Sequence, residues 1–155
     1  MKKIIILVPI YNDWQSVSKL LDEININTKG LDFEFSIIIV NDASTEAQSI
    51  TAQNLDNLKS VRVMNMRENR GHARCIATGL KYVFENEEFD YVIPMDGDGE
   101  DRPEEIKFLI EEANYSPDKA IVGERVKRSE SLLFKLSYNI HKIITYTFTG
   151  QSIKF

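Results

Sequence analysis

Ile4-Ile5-Ile6-Leu7-Val8-Pro9-Ile10, running into Tyr11-Asn12-Asp13, decides the fold. A strand with one face in water alternates apolar and polar residues, whereas an unbroken apolar run asks for cover on both faces. Outward from it the pattern changes period. Val17, Leu20, Leu21 and Ile24 recur at helical spacing. Phe33–Val40 is a second buried run, ending in Asn41-Asp42, and a polar helix is predicted after Ser44. Val61–Met66 reads as a third strand. Ala73, Ile76, Ala77, Leu80 and Phe84 mark one face of the next helix, and Tyr91–Met95 is a fourth strand that enters Asp96-Gly97-Asp98-Gly99-Glu100. Pro103 suits a first helical turn, with Ile106, Leu109, Ile110 and Ala113 behind it, and Ala120–Val122 is predicted as a fifth strand. Strands alternating with helices imply an α/β fold: a doubly wound, mostly parallel sheet with helices on both faces.

The 155 residues suffice for one domain with a sizeable core, and 43% hydrophobic with 28% charged residues is ordinary globular composition. No apolar run approaches the roughly eighteen residues of a membrane span. The Met1-Lys2-Lys3 opening is not a signal peptide, because the apolar run is short and meets Pro9–Asp13 where a small-residue cleavage site would stand. Cys75 is alone, which excludes a disulfide framework or cysteine metal cluster and points to a reducing compartment, the cytoplasm. The net charge of −5 is uneven: from Arg125 onward six basic residues face only Glu130, so the tail is net +5 and the body −10. An acidic body is unsuited to nucleic acid. In the tail, Leu132, Leu133, Leu136, Ile140, Ile143 and Ile144 form an apolar stripe with Lys135 and Lys142 off it. Such a basic amphipathic helix can lie on a membrane surface or pack on its own protein.

Parallel sheets bind ligands beyond the carboxyl ends of their strands, which selects the residues that matter. Asp96-Gly97-Asp98 is the sharpest signal. Residues two apart at a turn can aim both carboxylates at one point, and two such charges are tolerated when a cation sits between them. Hard oxygen donors favour Mg²⁺ or Mn²⁺ shared with substrate phosphates, although an Asp-x-Asp turn also serves as a plain helix cap. Asp42, with Ser44 beside it, suits turn formation or N-capping, and equally suits hydrogen bonding to a base or ribose. Tyr11 can stack on a base or cover the sheet edge, Pro9 ends a strand, and Asp13 can cap a helix. At Asn69-Arg70-Gly71-His72, Gly71 permits close backbone approach and Arg70 can meet an anion, while the same residues can form a simple turn. His72 and His141 are too far apart in sequence to argue for a metal site. Arg125, Lys127 and Arg128, just past a strand end, can stabilise a departing diphosphate or be a solvated charge run.

Val8–Asp13, Val40–Ser44, Asn69–Arg74 and Met95–Glu104, in this order and spacing, resemble the family 2 glycosyltransferases of GT-A fold, and the resemblance runs along essentially the whole chain. It is closest to the polyprenyl-phosphate glycosyltransferases, such as those similar to dolichol-phosphate mannose synthase. The resemblance implies that Pro9, Tyr11, Asp13 and Asp42 hold the nucleoside of a nucleotide-diphosphate sugar. It implies that Asp96 and Asp98 organise the metal and the sugar-diphosphate, with Glu100 as a further metal ligand where relatives often carry Gln. Arg70, Gly71 and Arg128 fall on the substrate side, and Asp98 and Arg125 act in the transfer itself. Gly123-Glu124-Arg125 looks like that subfamily's Gly-Ser-Arg, with Glu124 a departure.

Family members generally invert the anomeric centre, and an alcohol acceptor then needs a general base. After Glu130 this chain has no Asp or Glu. Either the acceptor is an anionic polyprenyl phosphate that needs no base, or the sequence is an N-terminal fragment whose acceptor side is incomplete. We therefore expect a donor- and metal-binding core over residues 1–128 and the start of an acceptor-side region over 129–155, in the cytoplasm and in peripheral contact with the inner membrane face. A nucleotidyltransferase would carry a Gly-rich basic loop after the first strand, where Pro9–Asp13 stands. A receiver-like binding module would place its paired acids after strand one, whereas here they follow strand four.

Overall fold

The computed structural model describes residues 1–123 except 53 and 117. Four strands form one parallel sheet: β1 (Lys2–Ile10), β2 (Phe33–Asn41), β3 (Leu58–Asn65) and β4 (Tyr91–Pro94), in spatial order β3-β2-β1-β4. Helix α1 (Trp14–Asn27) follows β1, α2 (His72–Asn86) follows β3, and α3 (Ile106–Tyr115) follows β4 through a 3₁₀ turn at Pro103–Glu105. The register pairs Lys2 with Phe33 through Ile10 with Asn41, and Ile4 with Tyr91 through Leu7 with Pro94.

The run that opens the sequence is buried on both faces, as its composition demands. Ile4, Ile6, Val8 and Ile10 join Val17, Leu21 and Ile24 of α1 and Ile106 and Ile110 of α3 in one cluster. Ile5 and Leu7 point the other way, to Ile38, Val40, and Cys75 and Val83 of α2. Each fully buried aliphatic side chain contributes about 1.5–3 kcal/mol relative to exposure. Gly79 lets α2 come down on the sheet, since a Cβ there would stand 2.7 Å from Leu7 Cδ1 and from Val40 Cγ2.

Two sequence expectations fail. No helix follows Ser44: the described residues between Ser44 and Asn57 run irregularly. This stretch is rich in Ser, Thr and Asn, whose side chains compete with helical hydrogen bonding. It bonds laterally instead, Thr51 N donating to Ser18 Oγ at 3.0 Å and Asn57 N to Asn25 Oδ1 at 2.9 Å, while Ile50, Ala52 and Leu55 lean on the core. The fifth strand is also absent, Ala120–Val122 being irregular. Three apolar residues hemmed by a polar turn and Gly123 offer little pairing length, so β4 ends the sheet on that side among the described residues.

The first compact unit runs from Met1 to Ile121. The boundary expected after residue 128, Arg125, Arg128 and the amphipathic stripe from Leu132 lie outside the described residues. No helix among the described residues is long and apolar enough to cross a membrane.

The chain steps outward from β1 to β2 and β3, then returns to place β4 on the far side of β1. The strand order therefore reverses between β1 and β4, and the crevice beyond those two carboxyl ends is where such sheets take ligands.

Candidate functional site

Two loop systems meet at that edge. On the β1–β2 side, Asn12 adopts a left-handed backbone (φ 58°) that Asn tolerates well. Its amide donates to Ser44 Oγ at 2.8 Å, and its Oδ1 accepts from Thr45 N at 2.8 Å and Glu46 N at 3.0 Å. Asn41 ties the ends of β2 and β3 together, its Nδ2 donating to Asn65 Oδ1 at 2.8 Å, while its Oδ1 accepts from Ser44 N at 2.9 Å. Tyr11 stands half-exposed beside these loops. Asp13 caps α1, its Oδ1 accepting from Ser16 N at 3.2 Å.

Asp42 is 3% exposed, which a carboxylate tolerates only with partners. It has two: Arg70 N donates to Oδ1 and Gly71 N to Oδ2, both at 2.8 Å. The bracket holds the Asn69–Gly71 turn against β2 and starts α2, with Gly71 at φ 85° as its N-cap. The Arg70 guanidinium pairs with Glu68 and stays half-exposed.

On the β1–β4 side, Met95 N donates to Leu7 O at 2.9 Å, carrying the β-pairing one residue further. Gly97 then passes close to β1: a Cβ there would stand 3.2 Å from the Pro9 carbonyl oxygen and 3.2 Å from Val17 Cγ2. The loop closes on itself through Asp101 Oδ2, which accepts from Asp96 N at 2.8 Å, and Asp98 Oδ1, which accepts from Glu100 N at 2.9 Å. Gly99 supplies the positive φ of 82° that the turn requires. Burial pushes the Asp96 carboxyl above its ordinary range, and the charges of Asp101, Asp98 and Glu100 push the same way. His72, whose Nε2 lies 3.3 Å from Asp96 Oδ1, opposes them.

Asp96, Asp98 and Glu100 thus share one loop, with Pro9 beside it. They do not form a closed cage, for among the described residues no group of three or more acidic, histidine or cysteine side chains is placed to hold an ion. Magnesium-type ions commonly take one or two protein carboxylates and complete their shell with water and substrate phosphates. A half-exposed Asp96 and an exposed Asp98 on one loop fit that mode. The sequence reading passed over Asn12, Asp101 and the Asp96 partner role of His72. The Asn12 and His72 contacts join segments that sequence spacing does not bring together, and the Asp101 bond closes a single loop whose turn geometry spacing does not reveal.

Known proteins are similar to this chain in sequence and in fold. The chain is 29% identical over 155 residues to an undecaprenyl-phosphate 4-deoxy-4-formamido-L-arabinose transferase of Yersinia pestis, and 30% identical to its counterpart in Serratia proteamaculans. In both cases 98% of the chain is matched to 46% of the relative, so it spans just under half their length. Among solved structures, TarS of S. aureus in complex with UDP-GlcNAc superposes with a TM-score of 0.54 at 21% identity, over 82% of this chain and 37% of that one. The Pyrobaculum calidifontis mannosyltransferase PcManGT, in complex with GDP-Man and Mn²⁺, gives 0.54 at 20% identity, over 91% of this chain and 39% of that one. At these identities the structures establish the shared GT-A architecture. The profile described as glycosyl transferase family 2 matches residues 5–154, so the chain belongs to glycosyl transferase family 2.

Proposed function

We propose that this chain is the donor-binding part of an enzyme that moves a sugar from a nucleotide-diphosphate sugar to a polyprenyl phosphate. The observation that carries the proposal is the Asp96–Asp98 loop held by Gly97 close to Pro9, where the strand order reverses. In this reading Pro9, Tyr11, Asp13 and Asp42 line the nucleoside side, and Arg70 and Gly71 border the diphosphate. Asp96 and Asp98, with Glu100 adjoining, would hold Mg²⁺ or Mn²⁺, which when bound neutralises charge on the departing diphosphate. Arg125 and Arg128 would add to that stabilisation from the following segment.

The acceptor class rests on the names of the relatives, which transfer to undecaprenyl phosphate, and on chemistry. A phosphate oxygen is already anionic, so its attack on the anomeric carbon needs no base. The bond from that carbon to the diphosphate oxygen breaks as the new one forms on the opposite face, inverting the centre. Residues 129–155 would begin the acceptor side, at the cytoplasmic face of a membrane.

Thermal unfolding followed by the fluorescence of Trp14, the single tryptophan, tests donor binding. UDP, GDP, CDP and dTDP are each added with and without Mn²⁺. A ligand at a hundred times its dissociation constant adds about 2.7 kcal/mol, which for a chain of this size raises the midpoint by about 5–10 °C. One nucleotide should do this, with metal only, and Asp98→Ala should abolish it. A flat response to all four nucleotides sinks the reading.

A further inference from the structure

We propose that His72 is a positioning residue for the metal-side carboxylate: from the first turn of α2 its imidazole Nε2 faces Asp96 and so links the metal loop to the Asp42 bracket. The inference rests on the donor-site reading above and assigns to His72 a role within it.

The geometry forms a continuous path. Asp42, buried at the end of β2, holds Arg70 N and Gly71 N at 2.8 Å each. Those two amides fix the backbone immediately before α2, and His72 is the first residue of that helix. Its Nε2 lies 3.3 Å from Asp96 Oδ1. Asp96 is restrained on its other side only through its backbone, by Asp101. A basic ring facing a carboxylate oxygen favours the rotamer that keeps them together, and among the described residues His72 stands in that place for Asp96. A residue that orients a ligand typically governs metal affinity by about ten- to a hundred-fold. Since His72 hangs from the same bracket, moving Arg70-Gly71 would move the group that aims Asp96.

The test counts free Mn²⁺ by its electron paramagnetic resonance signal, with the chain alone and with each of the four nucleoside diphosphates in excess. The wild-type chain should bind Mn²⁺ together with one of the nucleotides, and Asp96→Ala should lose it. His72→Ala should weaken Mn²⁺ binding by about tenfold or more, in the range found for ligand-orienting partners. His72→Gln, whose amide can donate to Oδ1, should recover most of that loss. His72 is more than half exposed, so unfolding midpoints of both variants without metal should match the wild type and exclude a folding defect. Wild-type affinity in His72→Ala, or no recovery in His72→Gln, overturns the positioning role while leaving the donor site intact. If the wild-type chain binds no Mn²⁺ with any nucleotide, the donor-site reading fails and this inference falls with it.

Discussion

The two ends of this parallel sheet are built on opposite electrostatic plans. At the amino ends of the strands three acids have a base beside them: Glu88 with Lys3 at 2.7 Å, Glu87 with Arg62 at 2.8 Å, Glu34 with Lys59 at 3.7 Å. Glu87 and Glu88 are held below the usual carboxylate range, each chiefly by the hydrogen bond from its basic partner. At the carboxyl ends, Asp96, Asp98, Glu100 and Asp101 crowd together, and Asp96 is pushed the other way. Lys3, Glu34, Arg62, Glu87 and Glu88 line a cleft of about 300 Å³ at the amino end, and each of those three acids already has a basic partner. A surface with matched charges asks nothing of a ligand, whereas a cluster of like charge is completed by one. The comparison therefore favours the carboxyl end as the ligand-binding edge, in keeping with the general rule for parallel sheets.

The carboxyl end is itself uneven, and the largest predicted effect tests that. The Asp42 side is preorganised by internal bonds, so its loss should register as stability. Asp42→Ala takes the carboxylate acceptor from the Arg70 and Gly71 amides, and a hydrogen bond to a charged group contributes about 1.5–3 kcal/mol. Urea unfolding should show a loss of about 3 kcal/mol, a large fraction of the margin of a domain this size. A loss within about 0.5 kcal/mol, the usual range for an inconsequential surface change, would mean that the bracket is not holding the turn.

A smaller effect is expected on the metal side. Gly97→Ala places a methyl 3.2 Å from the Pro9 carbonyl oxygen and 3.3 Å from Val8 Cγ1, tighter than van der Waals contact allows at rest. Small-to-large changes in tight packing typically cost about 1–3 kcal/mol, and here the loop can swing outward, so the lower end applies. That relief should show instead in ligand response: the nucleotide-dependent rise in midpoint should largely vanish. Unchanged stability with an unchanged nucleotide response would show that the loop does not need its contact with β1.

How much of this was legible in the sequence follows from the range of the interaction concerned. The unbroken Ile4–Ile10 run specified a central strand because burial on two faces leaves a direct mark on composition. The Asp13 cap could be anticipated, since it acts three residues away. The helix expected after Ser44 was an error of local inference: the segment satisfies its backbone through Ser18 and Asn25 on α1, which its own sequence does not advertise. Asp42 was recognised as important, but its partners are backbone amides 28 and 29 residues downstream. Amides carry no residue identity, so no pattern points to them. The pairing of His72 with Asp96 was likewise invisible, because it is created by β1 standing between β2 and β4 rather than by any spacing.

The smallest effect carries the sharpest contrast between the two ends. An acid whose folded-state pKa is raised binds more protons folded than unfolded in the interval between the two values. Stability then falls as pH rises through that interval, and above it the full cost remains. For Asp96 the interval starts at the ordinary value of 3.8 and extends upward. Glu87 has the reverse sign: its folded value is lowered, so its contribution is present above the unfolded pKa and is lost as pH falls through the folded one. Asp96→Asn removes the cost while keeping an oxygen for His72. Without metal, it should therefore match the wild type near and below the unfolded pKa and exceed it slightly at pH 7. Because Asp96 is nearly half exposed, solvent screens the gain, and about 0.5 kcal/mol is its upper bound. Glu87→Gln should lose stability at pH 7 and match the wild type in acid. If the two variants instead shift in the same direction at pH 7, the acid loop is already compensated and the electrostatic distinction between the two ends disappears.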